Sequence, residues 1–165
     1  IEIIYAWEND PRVWEISNTI APYSKYLLQK YLEQAHFDIY QTKQMRLMID
    51  LKENQDQYRS IGTIDLFEFD PFHSRIGIGI LIKEPEDRSK GYASESLDLV
   101  LDYLFRILNV HQVYCNIMGD NKPSLELFKK HEFRVIGNKK EWIKTIDGWK
   151  DEYLLQRINP YSVLS

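Results

Sequence analysis

The tightest constraint in the chain is the passage RIGIGILI (residues 75–82), RSKGYASES (88–96) and LDLVLDYLFRIL (97–108). The first run is apolar enough to predict a central strand. Behind it Ala93, Leu97, Val100, Leu101, Leu104 and Leu108 fall on one stripe, which predicts a helix from about Tyr92 to Leu108. A strand that ends in a turn with a helix opening behind it points several backbone N–H groups in one direction. Gly91 permits positive φ and close approach of a ligand to the main chain. Ala93 and Ser94 keep the first helical turn uncrowded, while Arg88 and Lys90 add positive charge. Such a loop can hold a pyrophosphate through main-chain donors and the helix N-terminus. Taken alone, the same residues favour a solvated strand–helix turn with incidental charges.

The rest of the chain supplies partners for this unit. SKYLLQKYLEQAHFDIY predicts an amphipathic helix over 24–40, with Ser24 as N-cap. Met45, Leu47, Ile49 and Leu51 alternate with polar residues as a strand does. ENQDQ then turns into a second strand, SIGTIDLFEF, and the two predict a hairpin. QVYCNIM (112–118) is the next strand, with Val113, Cys115 and Ile117 on one face. DNKPSLELFKKHEF predicts a short helix capped by Asp120 or Asn121, with Pro123 in the first helical position. VIGNKKEWIKT and KDEYLLQRI, joined through IDGW, predict a closing hairpin. IEIIYAWENDP reads as the end of a helix closed before Pro11, with a further segment expected upstream of Ile1. The order predicts one mixed α/β domain, residues 1–165, with a largely antiparallel sheet.

Composition excludes several functions. With 21 basic and 25 acidic residues the net charge is −4, so no broad electropositive surface for nucleic acid is expected. The 11 tyrosines and 4 tryptophans are scattered, which suggests packing more than a base-stacking platform. The single cysteine, Cys115, rules out an internal disulfide and fits a reducing compartment. No apolar run approaches the roughly 20 residues of a membrane helix, and no signal peptide is visible. The expectation is a soluble, cytoplasmic protein. His36, His73, His111 and His131 have no zinc-like spacing and read as surface or packing residues, so no metal is expected. Gly77 and Gly79 lie inside a strand without the third glycine of a dinucleotide fingerprint, and no GxxxxGK[ST] occurs.

Arg88-Ser89-Lys90-Gly91-Tyr92-Ala93 resembles the Gln/Arg-x-x-Gly-x-Gly/Ala signature of the GCN5-related N-acetyltransferases. The strand before it, the helix after it and Asn121-Lys122-Pro123-Ser124 fit as well. WENDPRVW and the terminal hairpin resemble the branch of ribosomal-protein alanine and spermidine acetyltransferases. The resemblance implies a mostly antiparallel twisted sheet, splayed at its middle strands, with about four helices and a first strand before Ile1. It implies acetyl-CoA as cosubstrate, no metal, and transfer of the acetyl group directly to a primary amine. The acceptor would be a protein N-terminus, a small amine or polyamine, or an amino sugar, and the protein a monomer or homodimer. Cofactor contacts carry over to Leu81, Ile82, Lys83, Arg88, Ser89, Lys90, Gly91, Tyr92, Ala93, Asn121 and Ser124. A glycine at position 79 goes in that family with a kinked or bulged strand that admits the pantetheine arm. Making room for a neighbouring side chain explains it equally well.

Direct transfer needs a neutral amine, a polarised carbonyl and a protonated leaving thiol. An alkylamine with a pKa near ~10.4 must lose a proton first. A main-chain N–H near Leu81 to Lys83 could polarise the carbonyl. The family's strand glutamate is absent, since Ile76-Gly77-Ile78-Gly79 stands in its place, and its helix tyrosine is replaced by Phe128. Ser124 matches the serine acid of the ribosomal-protein branch, though a first-turn structural role fits equally. Glu141 lies near that branch's hairpin glutamate. Asp65 and Glu68 lie on opposite faces of their strand, so at most one can point into an acceptor cleft; taken individually, each of these acids reads as a solvated surface charge more than as a base. Trp7, Trp14, Tyr23 and Tyr26, with Glu8, Asp10 and Glu15, could line the acceptor side or simply pack. Cys115 alternates with Val113 and Ile117 and reads as buried rather than nucleophilic. The departures leave a non-catalytic coenzyme A sensor or partner-binding module as the alternative.

Overall fold

Among the described residues, six strands form one sheet in the order β1-β2-β3-β4-β6-β5. The computed structural model describes residues 1–17, 19 and 21–162, without the side chains of 15–17. The chain divides into two compact units, Ile1–Thr42 and Lys43–Ser165.

The first unit is helical: α1 (Glu2–Glu8), α2 (Pro11–Ser17), α3 (Lys25–Glu33) and α4 (Ile39–Thr42). Asn9 ends α1 and ties it to the chain ahead of α3. Its amide donates to the Tyr5 and Tyr23 carbonyls, each at 3.0 Å, and its side-chain oxygen accepts from Tyr23 N–H at 2.8 Å. Pro11 then opens α2, in the helical position where a missing N–H costs nothing. The predicted helix over 24–40 is two helices. Ser24 caps the first as expected, accepting from Leu27 N–H at 3.1 Å. Asp38 starts the second by accepting from Gln41 N–H at 3.0 Å. A cap at 38 competes with continuation through it, and the local cap wins.

The second unit holds β1 (Met45–Lys52), β2 (Tyr58–Asp70), β3 (Arg75–Ile82), α5 (Tyr92–Asp102), β4 (Gln112–Met118), α6 (Lys122–Lys130), β5 (Arg134–Thr145) and β6 (Gly148–Ile158). Both hairpins form, and the second closes through a two-residue turn between Thr145 and Gly148. All pairings are antiparallel except β3 with β4. Among the described residues that parallel seam spans only Arg75–Gln112, Ile76–Val113 and Gly77–Tyr114. The sheet is therefore splayed at its centre, as expected. Ile64, Leu66, Ile76, Ile78, Val113, Cys115 and Leu155 are buried with Leu97, Leu101 and Leu104 of the helical stripe. Each such side chain contributes about 1.5–3 kcal/mol of transfer free energy.

The helix after the glycine loop stays α only to Asp102 and becomes a π turn at Tyr103–Ile107. The buried Asn159 amide donates to the Phe105 and Val110 carbonyls at 3.1 and 2.9 Å, taking acceptors that a continuing α-helix would use. Six α-helices are present among the described residues rather than about four, because the N-terminal region breaks into four short ones. Asn121 is the cap of α6, and Pro123 stands one residue inside the first helical position.

Candidate active site

Backbone alternation decides which amides of β3 face the splay. Lys83 N–H donates to the Ile61 carbonyl at 2.9 Å. In an antiparallel ladder Leu81 N–H then also points to β2, while the N–H groups of Ile80 and Ile82 point the other way, toward β4. Of the three residues expected to offer a donor here, Ile82 alone has its N–H on the open side. Gly62 permits this register, since a Cβ there would stand 2.1 Å from the Leu81 carbonyl oxygen. Gly79 pairs regularly with Asp65, without a bulge in the β2 ladder. The glycine that makes room for a neighbour is Gly77, whose side-chain space is filled by the Phe67 ring.

Beyond β3 the chain makes a 3-10 turn at Pro85–Asp87. Asp87 is 4% exposed. Arg59 of β2 grips it through Nη1–Oδ2 at 2.7 Å and Nη2–Oδ1 at 3.0 Å, and bonds Glu53 at 2.7 Å. Hydrogen bonds from Arg59 hold the Asp87 carboxyl below the usual carboxylate range. Arg88 reaches back: its Nε donates to the Ile82 carbonyl at 3.0 Å and Nη2 to the Lys83 carbonyl at 2.9 Å. Its guanidinium is thus a fixed brace between loop and strand rather than a free basic arm; Arg88 and Lys90 are both exposed.

Ser89 and Gly91 take positive φ, 58° and 90°, and Gly91 is the N-cap of α5. α3 and α6 are capped by the side chains of Ser24 and Asn121, whereas Gly91 brings no side chain to α5. The first N–H groups of a helix have no acceptor within it, so those of Tyr92, Ala93 and Ser94 form a cluster of donors. Nothing lies within 4 Å of a Cβ added at Gly91. An open, uncapped helix start flanked by Lys90 suits a diphosphate.

Behind this turn one histidine is a packing residue, as the sequence allowed, with contacts that the sequence did not name. His131, 6% exposed, joins α6 to α5 by Nε2 to Ser94 Oγ at 2.9 Å and Nδ1 to Asp98 at 2.9 Å. Lys130 Nζ also donates to Ser94 Oγ, at 3.2 Å. Ser94 and Asp98 stand four apart on one helical face, the sole signal available beforehand.

The expected acid–base residues lie in different surroundings. Ser124 is half-buried in the first turn of α6, its N–H donating to Asn121 Oδ1 at 3.3 Å. Asp65 is held by Arg46 at 2.5 and 3.1 Å. Glu141 is exposed, at φ 48° in an irregular stretch of β5, with its N–H on Asp151 Oδ1 at 3.0 Å. Asp65 and Glu68 do not point to opposite faces. A bulge between Phe67 and Asp70 puts Glu68 at φ 51° and turns its carboxylate onto the Tyr114 hydroxyl. Tyr114 stacks edge-on with Phe67, and Phe67 shares its face with Asp65. Burial, then Glu68, pushes the Tyr114 phenol upward. Burial alone pushes up the Cys115 thiol, which fits an inert core residue. Phe128 is buried edge-on against Phe133, with ring centroids 5.0 Å apart.

Of the aromatic and acidic residues expected on the acceptor side, Trp14 donates Nε1–H to the Glu8 carbonyl at 2.7 Å. Asp10 pairs with Arg12 at 2.7 Å, and Tyr26 is largely exposed. The Glu15 side chain lies outside the described residues. No described helix is long and apolar enough to cross a membrane.

The sheet thus opens at a short parallel seam beside a glycine-led helix with no side-chain cap. The Acetyltransferase (GNAT) domain model matches residues 1–134, and the chain belongs to that family. A spermidine N(1)-acetyltransferase of Vibrio cholerae serotype O1 is 32% identical over 82 residues, 50% of this chain and 47% of that protein. The probable N-acetyltransferase YjcK of Bacillus subtilis is 26% identical over 128 residues, 78% of this chain and 64% of its own. The chain thus spans about half to under two thirds of these relatives. Among solved structures, a spermidine N-acetyltransferase from Vibrio cholerae in complex with CoA and spermine matches with TM-score 0.80. It is 22% identical, and the match covers 96% of this chain and 89% of that one.

Proposed function

We propose that the chain moves an acetyl group from acetyl-CoA to a primary amine, and that residues 1–165 act as one acetyltransferase domain. The observation that carries this is the N-cap of α5: a glycine at φ 90° with open space above it and no capping side chain. Tyr92, Ala93 and Ser94 offer main-chain donors to the pyrophosphate, with Ser89, Lys90 and Gly91 shaping the approach and Arg88 bracing it. The Ile82 N–H polarises the thioester carbonyl, the member of Leu81–Lys83 whose amide faces the splay. As the amine nitrogen bonds to the carbonyl carbon, the carbon–sulfur bond breaks and Ser124 supplies a proton to the sulfur. Asp65 or Glu141 takes the amine's proton, directly or through water. Asn121 contributes by fixing the turn that presents Ser124.

The acceptor classes under this reading are a small amine or polyamine, a protein N-terminus and an amino sugar. The protein is taken as cytoplasmic and as a monomer or homodimer, a state that light scattering reads directly. Isothermal calorimetry with acetyl-CoA tests the assignment: saturable binding is expected, and none at millimolar ligand removes it.

A second reading, a coenzyme A-binding module without turnover, is favoured by the buried ring at position 128, which has no proton to give. Thiol release from acetyl-CoA in the presence of amine mixtures separates the two. Binding without release on any amine supports the module.

A further inference from the structure

A groove of about 780 Å³ opens on the Phe67–Tyr114 face of the sheet, at the closed end of the parallel seam. Lys43, Glu68, Phe69, Asp70, Pro71, Arg75, Tyr114, Ile136 and Leu154 are in its lining, with Gln112 and Gln156 paired through their side-chain amides. This is the size of a small-molecule site. Its charges balance. Asp70 and Arg75 form an ion pair at 3.3 Å and partly neutralise one another. Lys43 and Glu68 remain as a cation and an anion on neighbouring parts of the wall, for Phe69 N–H donates to the Lys43 carbonyl at 2.9 Å.

Both of these charged residues hold left-handed backbone, Lys43 at φ 58° and Glu68 at φ 51°. Neither is a glycine, and left-handed backbone is costly for long side chains. The bulge at Glu68 is what swings its carboxylate over the groove onto Tyr114. Lys43 Nζ lies 5.8 Å from the Phe69 ring centroid, on the same wall. The phenol occupies part of the Glu68 carboxylate, whose two oxygens have about four acceptor positions. A polycation would meet Lys43 and Arg75 here, and a polyanion would meet Glu68 and Asp70. Only a ligand carrying both signs complements the wall.

We infer that the groove is a binding site for a small zwitterion, an α-amino acid with an apolar side chain. Its ammonium pairs with Glu68, its carboxylate with Lys43, and its side chain lies against Phe69, Ile136 and Leu154. The inference does not depend on acetyl transfer, and it names a ligand outside the acceptor classes given above.

The test uses matched probes: L-phenylalanine, phenethylamine and 3-phenylpropionate, and likewise L-leucine, 3-methylbutylamine and 4-methylpentanoate. Binding to the full chain is followed by NMR titration of the groove resonances. At least one amino acid should saturate, with both of its truncated partners weaker by about tenfold or more. Glu68→Gln should weaken the amino acid by about tenfold and leave the carboxylate probe unchanged, while Lys43→Met should weaken the amino acid and leave the amine unchanged. Unaltered melting temperature and acetyl-CoA calorimetry establish that the variants fold and that the cofactor site stands or falls separately. The inference is overturned if the amines bind as tightly as the amino acids. It is equally overturned if no probe saturates the groove below about 20 mM, or if both variants bind the amino acid as wild type does.

Discussion

Arg59 and Asp87 are joined by two hydrogen bonds of 2.7 and 3.0 Å between the second strand and the turn just ahead of the glycine loop. The pair sets where the loop begins. Arg59→Met should raise the KM for acetyl-CoA several-fold with a smaller change in kcat, as measured by steady-state kinetics. The Asp87 carboxyl is held below its ordinary value of 3.8, chiefly by hydrogen bonds from Arg59. A depressed carboxyl stabilises the fold above its unfolded pKa, and that contribution is lost as pH falls through the folded one. The stability gap between wild type and Arg59→Met should therefore be full above about pH 4 and close below it, read by urea melts across pH.

Gly91→Val should weaken acetyl-CoA binding by about tenfold or more while leaving the protein folded. The space above Gly91 is open, so the protein resists through backbone rather than collision, and a β-branched residue at φ 90° is strained by about 1–3 kcal/mol. Gly91→Asn tolerates that region better and should retain more affinity. Calorimetry on both variants checks the order.

Gly62→Ala places a methyl 2.1 Å from the Leu81 carbonyl oxygen and 3.2 Å from Ile82 Cδ1. The backbone must give way, at about 1–3 kcal/mol. Because the displaced strand carries the Ile82 amide, kcat should fall by more than the stability loss accounts for. Thermal melts and single-turnover rates together decide this.

Ser124→Ala should lower kcat and leave melting unchanged, since the cap of α6 uses the side chain of Asn121 and only the backbone of Ser124. Asn121→Ala should show the reverse emphasis, with about 1 kcal/mol of stability lost. If both variants melt and turn over alike, the division of labour between them is wrong.

Cys115 should resist iodoacetamide in the native protein and react only on unfolding, because its thiol is buried and burial disfavours the thiolate. Mass spectrometry of alkylation against denaturant concentration reads this directly.

The strand, loop and helix around Gly91 were legible because each depends on local rules: an apolar run, a residue that accepts positive φ, and a stripe at helical spacing. Three features were not. The break at Asp38 was hidden because Leu32 and Ile39 keep helical spacing across it, and only the choice of cap decides. The turn of Glu68 onto the face of Asp65 follows from one extra residue in a ladder, which shifts the period-two reading without marking the sequence. The contacts of His131 with Ser94 and Asp98 join two helices through tertiary packing, so no spacing along the chain announces them. Candidate donors could be named to within three residues, but picking Ile82 among them needed the ladder's phase.

The short join between the third and fourth strands has a mechanical side. Three rungs of main-chain bonding stitch one half of the sheet to the other. Tension across the sheet concentrates in those rungs, and the far ends of the two strands are free to scissor with no ladder to unzip. Compliance is thus built in where the third and fourth strands part.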